Sequence, residues 1–253
     1  MYKQSTTNGS AVVAAVLMAG LVLMPAAGSA ATITFDDGSG HSGLAEFSLP
    51  SSTQLRIVLQ NTSSNPASDA PGLLTSLAFD LPGQMSITGG SVTVTEGSKS
   101  INFLVGTDPV FVFGGDDVSG EWGYGNSGTT GFDSLVNYVS TNTAGVVPFG
   151  GVNLDDTESL NGPQGGLATP DWVPGGLGGI VDSVTFDLNL SGPLDSVSFL
   201  DNGAIIEFGS DERFLSSGES IPPTEAVPEP VTAVGVIIAV GVMAMQVRRR
   251  LLA

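Results

Sequence analysis

The central part of the chain alternates apolar and polar residues with a period of two. Over residues 184–190 every second residue is a large apolar one, and threonine, aspartate and asparagine lie between. A related alternation covers residues 55–60 and 77–81. This period is typical of half-buried β-strands. Shorter strands are predicted at residues 33–35, 45–49, 91–95, 101–105, 110–113, 121–124, 197–200 and 204–208.

Turn-forming residues separate these strands and complete the prediction of the fold. Asp201, Asn202 and Gly203 lie between two apolar runs, and Asn-Gly favours the tight type I′ turn of a hairpin. Residues 133–139 are predicted to form at most one or two helical turns. The pattern as a whole predicts an all-β protein, an antiparallel β-sandwich with jelly-roll or immunoglobulin-like topology.

Residues 140–179 are rich in glycine, proline, asparagine and aspartate and show little periodicity. A loop of this length is unusual inside a compact domain. We therefore expect short strands near residues 145–149 and Leu154, with a mobile stretch over residues 161–179.

The N-terminus has the three parts of a signal peptide. Lys3 lies in a short polar region, residues 11–24 are apolar, and Pro25 is followed by the small residues 26–31. This arrangement predicts a signal peptide over residues 1–31, cleaved after Ala30 or Ala31. An uncleaved membrane anchor is the alternative.

The C-terminus carries the most specific motif of the chain. Val227, Pro228, Glu229 and Pro230 precede an apolar run over residues 231–247, which as a helix is about 26 Å long, just enough to cross a bilayer. The arginines that follow predict a cytoplasmic C-terminus and an external domain. An ordinary tail anchor is the alternative. The arginines are Arg248, Arg249 and Arg250.

A Pro-Glu-Pro motif, one membrane helix and a basic tail together resemble the PEP-CTERM sorting signal of exported proteins in Gram-negative bacteria. The resemblance implies export by the Sec machinery, transient insertion of the precursor in the inner membrane by its C-terminal helix, and cleavage by an exosortase. It divides the chain into a signal peptide (1–31), an exported domain (32–215), a spacer (216–226) and a sorting signal (227–253), the last comprising the motif (227–230), the helix (231–247) and the basic tail (248–253).

The exported part also resembles, more weakly, a domain type that recurs in other PEP-CTERM proteins. The resemblance covers most of that part and implies no catalytic activity. The segments that carry it are residues 55–63, 73–81, 120–124, 180–190 and 206–210.

Charge and composition exclude several functions. The formal net charge is −18, and only Arg56, Lys99 and Arg213 are basic between the two terminal segments. Such a field repels phosphates, so we expect no nucleic-acid partner. The chain has no cysteine, and its only histidine, His41, precedes Ser42 without the glycine pattern of a hydrolase elbow or a second histidine as base. We therefore expect no enzymatic activity.

Paired acids in glycine-rich turns are the candidate metal ligands. Calcium binds six to eight oxygen atoms, and Asp116 with Asp117, or Asp155 with Asp156, could supply some of them. No EF-hand pattern is present. Solvated acidic turns are the alternative.

Three aromatic residues are candidates for sugar binding. Trp122 and Tyr124 are two residues apart, so on a strand they share a face, and Trp172 lies in a proline-flanked loop. Exposed rings could stack on the sugars of a surface polysaccharide. A place in the core is the alternative for the strand pair.

Three functions follow, in order of preference. The first is an exported protein of the cell surface or extracellular matrix with a structural or adhesive role. The second is a calcium-dependent carbohydrate-binding module of the polysaccharide layer. The third is a hydrolase that uses carboxylates alone, which would need two convergent acids.

Overall fold

The computed structural model describes residues 29–67, 69–102, 110–127, 131–142, 152–154, 165–171, 179–210 and 213–217. In these ranges no helix is long and apolar enough to cross a membrane. The predicted signal peptide up to residue 28, and everything from residue 218 through the sorting signal, lie outside the described residues.

The described chain is all-β, with short 3-10 turns at Ala70–Gly72, Ser119–Glu121 and Ser198–Asn202. Apolar and polar residues alternate in the longer strands as the sequence predicts, and the apolar ones are buried. The strands are β1 (Ala30–Asp36), β2 (Ser42–Ser51), β3 (Gln54–Asn61), β4 (Leu74–Phe79), β5 (Ile87–Val94), β6 (Lys99–Asn102), β7 (Val110–Phe113), β8 (Gly123–Gly125), β9 (Asn137–Ser140), β10 (Val152–Asn153), β11 (Leu167–Ala168), β12 (Gly179–Val181), β13 (Ser183–Leu190), β14 (Ala204–Phe208) and β15 (Arg213–Ser216).

The strands form two sheets. The first has the order β1-β2-β3-β13-β5 and is antiparallel throughout. The second follows the path β10-β8-β9-β4-β14-β15, and a branch β11-β12-β6-β7 joins it where Leu167 pairs with Leu74 of β4. Among the described strands, β11 and β12 are paired in parallel and the other pairs are antiparallel.

The two sheets share one hydrophobic core. Phe47 of β2 meets Phe79 of β4 with ring centroids 5.7 Å apart, and Trp122 meets Phe186 of β13 at 5.0 Å. Both pairs are edge-to-face and join one sheet to the other, the geometry that aromatic quadrupoles favour.

The chain crosses from the second sheet to the first between β4 and β5 and again at Asp182, between β12 and β13. Asp182 has φ +135°, which is rare for a residue with a side chain. Two bonds hold it: Gln60 Nε2 donates to Asp182 Oδ1 at 2.8 Å, and Asn61 N donates to the Asp182 carbonyl at 3.2 Å. The strained residue is thus fixed by the end of β3.

Asn61 is fully buried beside this crossing and joins elements of both sheets. Its Nδ2 donates to the carbonyl oxygens of Leu167 (2.7 Å) and Gly72 (3.1 Å), and its Oδ1 accepts from Ser63 N. One amide side chain therefore satisfies backbone groups of β11, of a 3-10 turn and of its own loop, groups that would be costly to bury unpaired.

The predicted strand at residues 197–200 is wrong. The segment is the 3-10 helix Ser198–Asn202, in which Leu200 N bonds to Val197 O and Gly203 N to Leu200 O. Only Gly203 of the expected type I′ pair has positive φ. The apolar residues Phe199 and Leu200 are buried just as a strand's would be, so composition did not separate the two conformations.

Two further local predictions need correction. Residues 133–139 form a turn and then β9, because β4 and β8 offer hydrogen-bond partners on both sides of that strand. Within residues 161–179, where a mobile stretch is expected from the sequence, Leu167–Ala168 is a buried strand. A short strand, β10, does lie near Leu154 as expected, whereas residues 145–149 lie outside the described residues.

Candidate functional site

A row of polar side chains crosses the second sheet on the face directed away from the shared core. Ser140 of β9 is paired with Ser76 of β4, and Ser76 is paired with Glu207 of β14. All three are fully buried. With Asn142, also buried, they form what we call the Glu207 cluster.

The hydrogen bonds of the Glu207 cluster run in one direction. Asn142 N donates to Ser140 Oγ (3.0 Å), and Ser76 Oγ donates to Glu207 Oε2 (2.6 Å). Because a hydroxyl has one proton, the 2.8 Å contact between the two serines must be donated by Ser140. Asn142 Nδ2 donates to the same Glu207 oxygen at 3.0 Å.

A β-bulge lies beside the cluster. The pairing of β14 with β4 shifts between Glu207 and Phe208, which leaves Thr75 as the extra residue of β4. The Thr75 hydroxyl lies 2.6 Å from the carbonyl oxygen of Gly209, and Asn142 Nδ2 lies 3.2 Å from the same atom. These side chains replace ladder bonds that the bulge removes.

A second polar cluster lies in the loop between β1 and β2 and is centred on Asp37. Asp37 Oδ1 accepts from the N–H groups of Ser39 (2.7 Å) and His41 (3.2 Å). Asp37 Oδ2 accepts from Ser39 Oγ (2.6 Å) and from Arg213 Nη1 of β15. The ion pair with Arg213 links the β1–β2 loop of the first sheet to the edge strand β15 of the second.

The pKa of Asp37 lies well below its usual range. The hydrogen bond from the Ser39 hydroxyl is the largest cause, and the N–H groups of Ser39 and His41 and the Arg213 guanidinium add to it against the opposing effect of desolvation. Ser39 donates to the aspartate and not to His41, whose Nδ1 lies 3.4 Å from Asp37 Oδ2. The three residues therefore lack the serine-to-histidine bond of a hydrolytic triad.

The acidic residues predicted to bind calcium are used as turn caps where they are described. Asp116 Oδ2 accepts from Phe113 N (2.8 Å), and Asp117 Oδ1 accepts from Ser119 N (2.9 Å) and Ser119 Oγ (2.6 Å). No three acidic or histidine side chains converge on a metal-sized site within the described ranges. Asp155 and Asp156 lie outside them.

Trp122 and Tyr124 share a face, as the sequence predicts, but it is the face directed to the core. Trp122 is fully buried against Phe186, and Tyr124 packs partly buried on the same cluster. Trp122 and Tyr124 therefore do not form a platform of two exposed rings, because both side chains pack on the shared core. Trp172 lies outside the described residues.

The outer face of the second sheet also carries a cleft of about 230 Å³. The turn 133–135 forms one wall, and residues 202–205 and 216–217, at the paired ends of β14 and β15, form the other. Asp133 has φ +51°, a conformation that aspartate tolerates better than most residues, and Leu135 N closes the turn on Phe132 O at 2.9 Å.

The Glu207 cluster and the cleft are both missing from the sequence predictions. Glu207 could have been noticed, because it interrupts the apolar run 204–208, and an acid in such a run must be paired when it is buried. Its hydrogen-bond partners could not have been found from the sequence, because Ser76 is 131 residues away in the chain. The cleft depends wholly on which turns the sheet brings together.

Comparison of the chain with protein-family models, with curated proteins and with solved structures finds no match. The resemblance to PEP-CTERM proteins therefore depends on the motif residues themselves.

We expect Glu207→Ala to lower the free energy of unfolding by about 2–5 kcal/mol, because it leaves the buried Ser76 and Asn142 donors without their acceptor. Glu207→Gln keeps one acceptor oxygen and should cost less. Denaturant unfolding measures both, with the exposed Glu46→Ala as the matched control. A Glu207→Ala effect within about 0.5 kcal/mol of the control would show that the cluster does not stabilise the fold.

We expect Asp37→Asn to lower Tm at pH 7 by about 1–4 °C, the size expected for an exposed ion pair. A carboxylate whose pKa is depressed by folding stabilises the protein above its unfolded pKa of about 3.9, and this contribution is lost as pH falls below that value. The Tm difference between the parent and Asp37→Asn should therefore shrink between pH 4 and pH 2. Asp195→Asn, at an exposed aspartate, is the control. A difference that stays constant down to pH 2 would mean that the charge of Asp37 is not the cause.

We expect calcium and magnesium at equal ionic strength to raise Tm by the same amount, since screening of dispersed acids does not distinguish the two ions. Thermal unfolding in each salt measures this. A rise seen with calcium alone would contradict the expectation. If the calcium-specific rise in Tm were lost in the double variant Asp116→Ala, Asp117→Ala, the site would lie in the turn that contains these two residues. If the rise persisted in this variant, Asp155 and Asp156 would be the next candidates.

Proposed function

We propose that this chain is an exported protein of the cell surface or extracellular matrix with a structural or adhesive role. The observation that carries the proposal is the C-terminal order of Pro228-Glu229-Pro230, an apolar run and three arginines. On this proposal an exosortase recognises the sorting signal in the inner membrane, cleaves near the motif and releases the domain.

Within the described residues the two sheets run from Ala30 to Ser216, so they overlap the predicted signal peptide at Ala30 and Ala31 and the predicted spacer at Ser216. We propose that they form a β-sandwich. The ten described strands of the branched second sheet depart from the usual immunoglobulin and jelly-roll patterns, so we assign neither topology.

A non-enzymatic role is supported by how the polar clusters are used. The Asp37 carboxylate binds its own loop and Arg213, and Ser76 and Asn142 both donate to Glu207 Oε2. These bonds join strands and turns that are distant in sequence. We therefore assign the two clusters to stability rather than to catalysis, and the carboxylate-based hydrolase remains the least supported of the three hypotheses.

The position of the predicted signal-peptidase sites limits when the signal peptide can be removed. Ala30 and Ala31 belong to β1, where they pair with Ser48 and Phe47, and Ala31 is buried. A peptidase needs an extended and accessible chain. Removal of the signal peptide would therefore precede the pairing of β1 with β2, during export.

We expect the surface form of the protein to begin at Ala31 or Thr32 and to end near Glu229. Mass spectrometry of the surface fraction tests both ends, and recovery there of intact peptides from residues 231–250 would contradict processing. The double variant Pro228→Ala, Pro230→Ala should remain in the inner membrane. The matched control replaces Pro222 and Pro223 of the spacer with alanine, which should leave processing unchanged.

A further inference from the structure

The cleft on the outer face of the second sheet differs from the two polar clusters because most of its polar side chains are free, Ser217 being the exception. In the part of the chain that the structure describes, the side chains of Asp133, Ser134, Asn202 and Ser216 form no hydrogen bond or ion pair with other protein groups. All four are exposed. They supply hydroxyl, amide and carboxylate groups around one opening of about 230 Å³.

Apolar side chains lie beneath these groups. Leu135 and Ile205 line the cleft and are themselves buried in a small hydrophobic cluster with Ala78, Phe132 and Tyr138. A polar rim over an apolar floor suits a ligand that has hydroxyl groups at its edge and C–H groups on its face. Sugar rings have this property.

The volume of the cleft and its negative charge restrict the class of ligand further. Sites for drug-sized molecules usually occupy about 300–1,000 Å³, so a cleft of about 230 Å³ suits a single ring. Asp133 and the formal net charge of −18 disfavour anions, so uronic acids and phosphorylated sugars should bind more weakly than neutral sugars. A carboxylate and a primary amide are also strong partners for vicinal hydroxyl groups.

The walls of the cleft are held firmly enough to keep this arrangement. Ser217 N donates to Ala204 O at 2.8 Å, and Ala204 N donates to Ser217 Oγ at 3.0 Å, which fixes one wall. On the other wall, Val136 N donates to Asp80 Oδ1 at 3.0 Å directly after the turn. The ligand would therefore meet preformed groups, which lowers the entropic cost of binding.

We propose that this cleft binds one neutral sugar unit, with Asp133 and Asn202 as hydrogen-bonding residues and with Leu135 and Ile205 beneath the ring. The inference deepens the proposed surface role, on which it rests, by naming a neutral polysaccharide as the material the domain holds. Calcium takes no part in it.

Saturation-transfer difference NMR of the full chain in a zwitterionic detergent without a sugar headgroup tests the proposal. The probes are glucose, galactose, mannose and N-acetylglucosamine, with glucuronic acid as the anionic comparison. We expect at least one neutral sugar to bind with millimolar affinity and glucuronic acid to give no signal. No signal from any neutral sugar, or an equal signal from glucuronic acid, would overturn the proposal.

Two variants place the binding in the cleft. Asp133→Asn removes the charge while keeping a residue that tolerates positive φ, and Asn202→Ala removes the amide. Each should weaken binding at least tenfold, and Asp195→Asn should not change it, with unaltered circular dichroism showing that each variant is folded. Unchanged binding in both folded cleft variants would overturn the proposal. Processing by exosortase is measured separately, so failure of one proposal is distinguishable from failure of the other.

Discussion

The chain crosses between the two sheets several times, and at Asp182 a strained backbone and the buried amide of Asn61 hold the two sheets together. β12 lies in the second sheet and β13 in the first, so the backbone must turn sharply where both strands are buried. Asp182 takes a strained φ, and Gln60 and Asn61 at the end of β3 hold it there. Asn61 also satisfies the carbonyl groups of Leu167 and Gly72. Without these bonds, buried backbone groups would lose their partners at the point where the shared core begins.

The outer face of the second sheet shows two opposite uses of polar side chains. The Glu207 cluster is buried, and the cost of burying its carboxylate is offset by donors from Ser76 and Asn142. The cleft, further along β14, leaves Asp133 and Asn202 exposed without protein partners. Polar groups already paired within the protein can form few hydrogen bonds to a ligand, whereas unpaired groups around one cleft can still form them. This contrast is the physical reason for assigning stability to the cluster and binding to the cleft.

The proposed biology combines two independent sources of information. On the proposed function, the terminal segments would carry sorting information that a membrane protease reads as linear sequence, independently of the fold of the domain. The domain is strongly acidic, has no cysteine and is stabilised by a core of facing apolar side chains. Mutual repulsion between copies would keep such a domain soluble after the release that we propose. A single cleft with neutral-sugar chemistry would then give weak attachment that many copies in a matrix could strengthen through multivalency.

The sequence by itself determined the all-β class and most of the long strands, and it carries the motifs on which the proposed targeting depends. A period of two is a local property, and β3 and β13 lie where it predicts them, while β1 and β14 lie over two of the shorter predicted strands. Tertiary structure alone decided the rest. The segment 198–202 is helical and Asn137–Ser140 is a strand because of neighbours that the local pattern does not contain. Trp122, directly before β8, packs against Phe186 of the other sheet, a contact that exists only once the two sheets are packed together. Ser76 and Glu207 are joined across 131 residues, and no local pattern encodes a contact that exists only once two distant strands are paired.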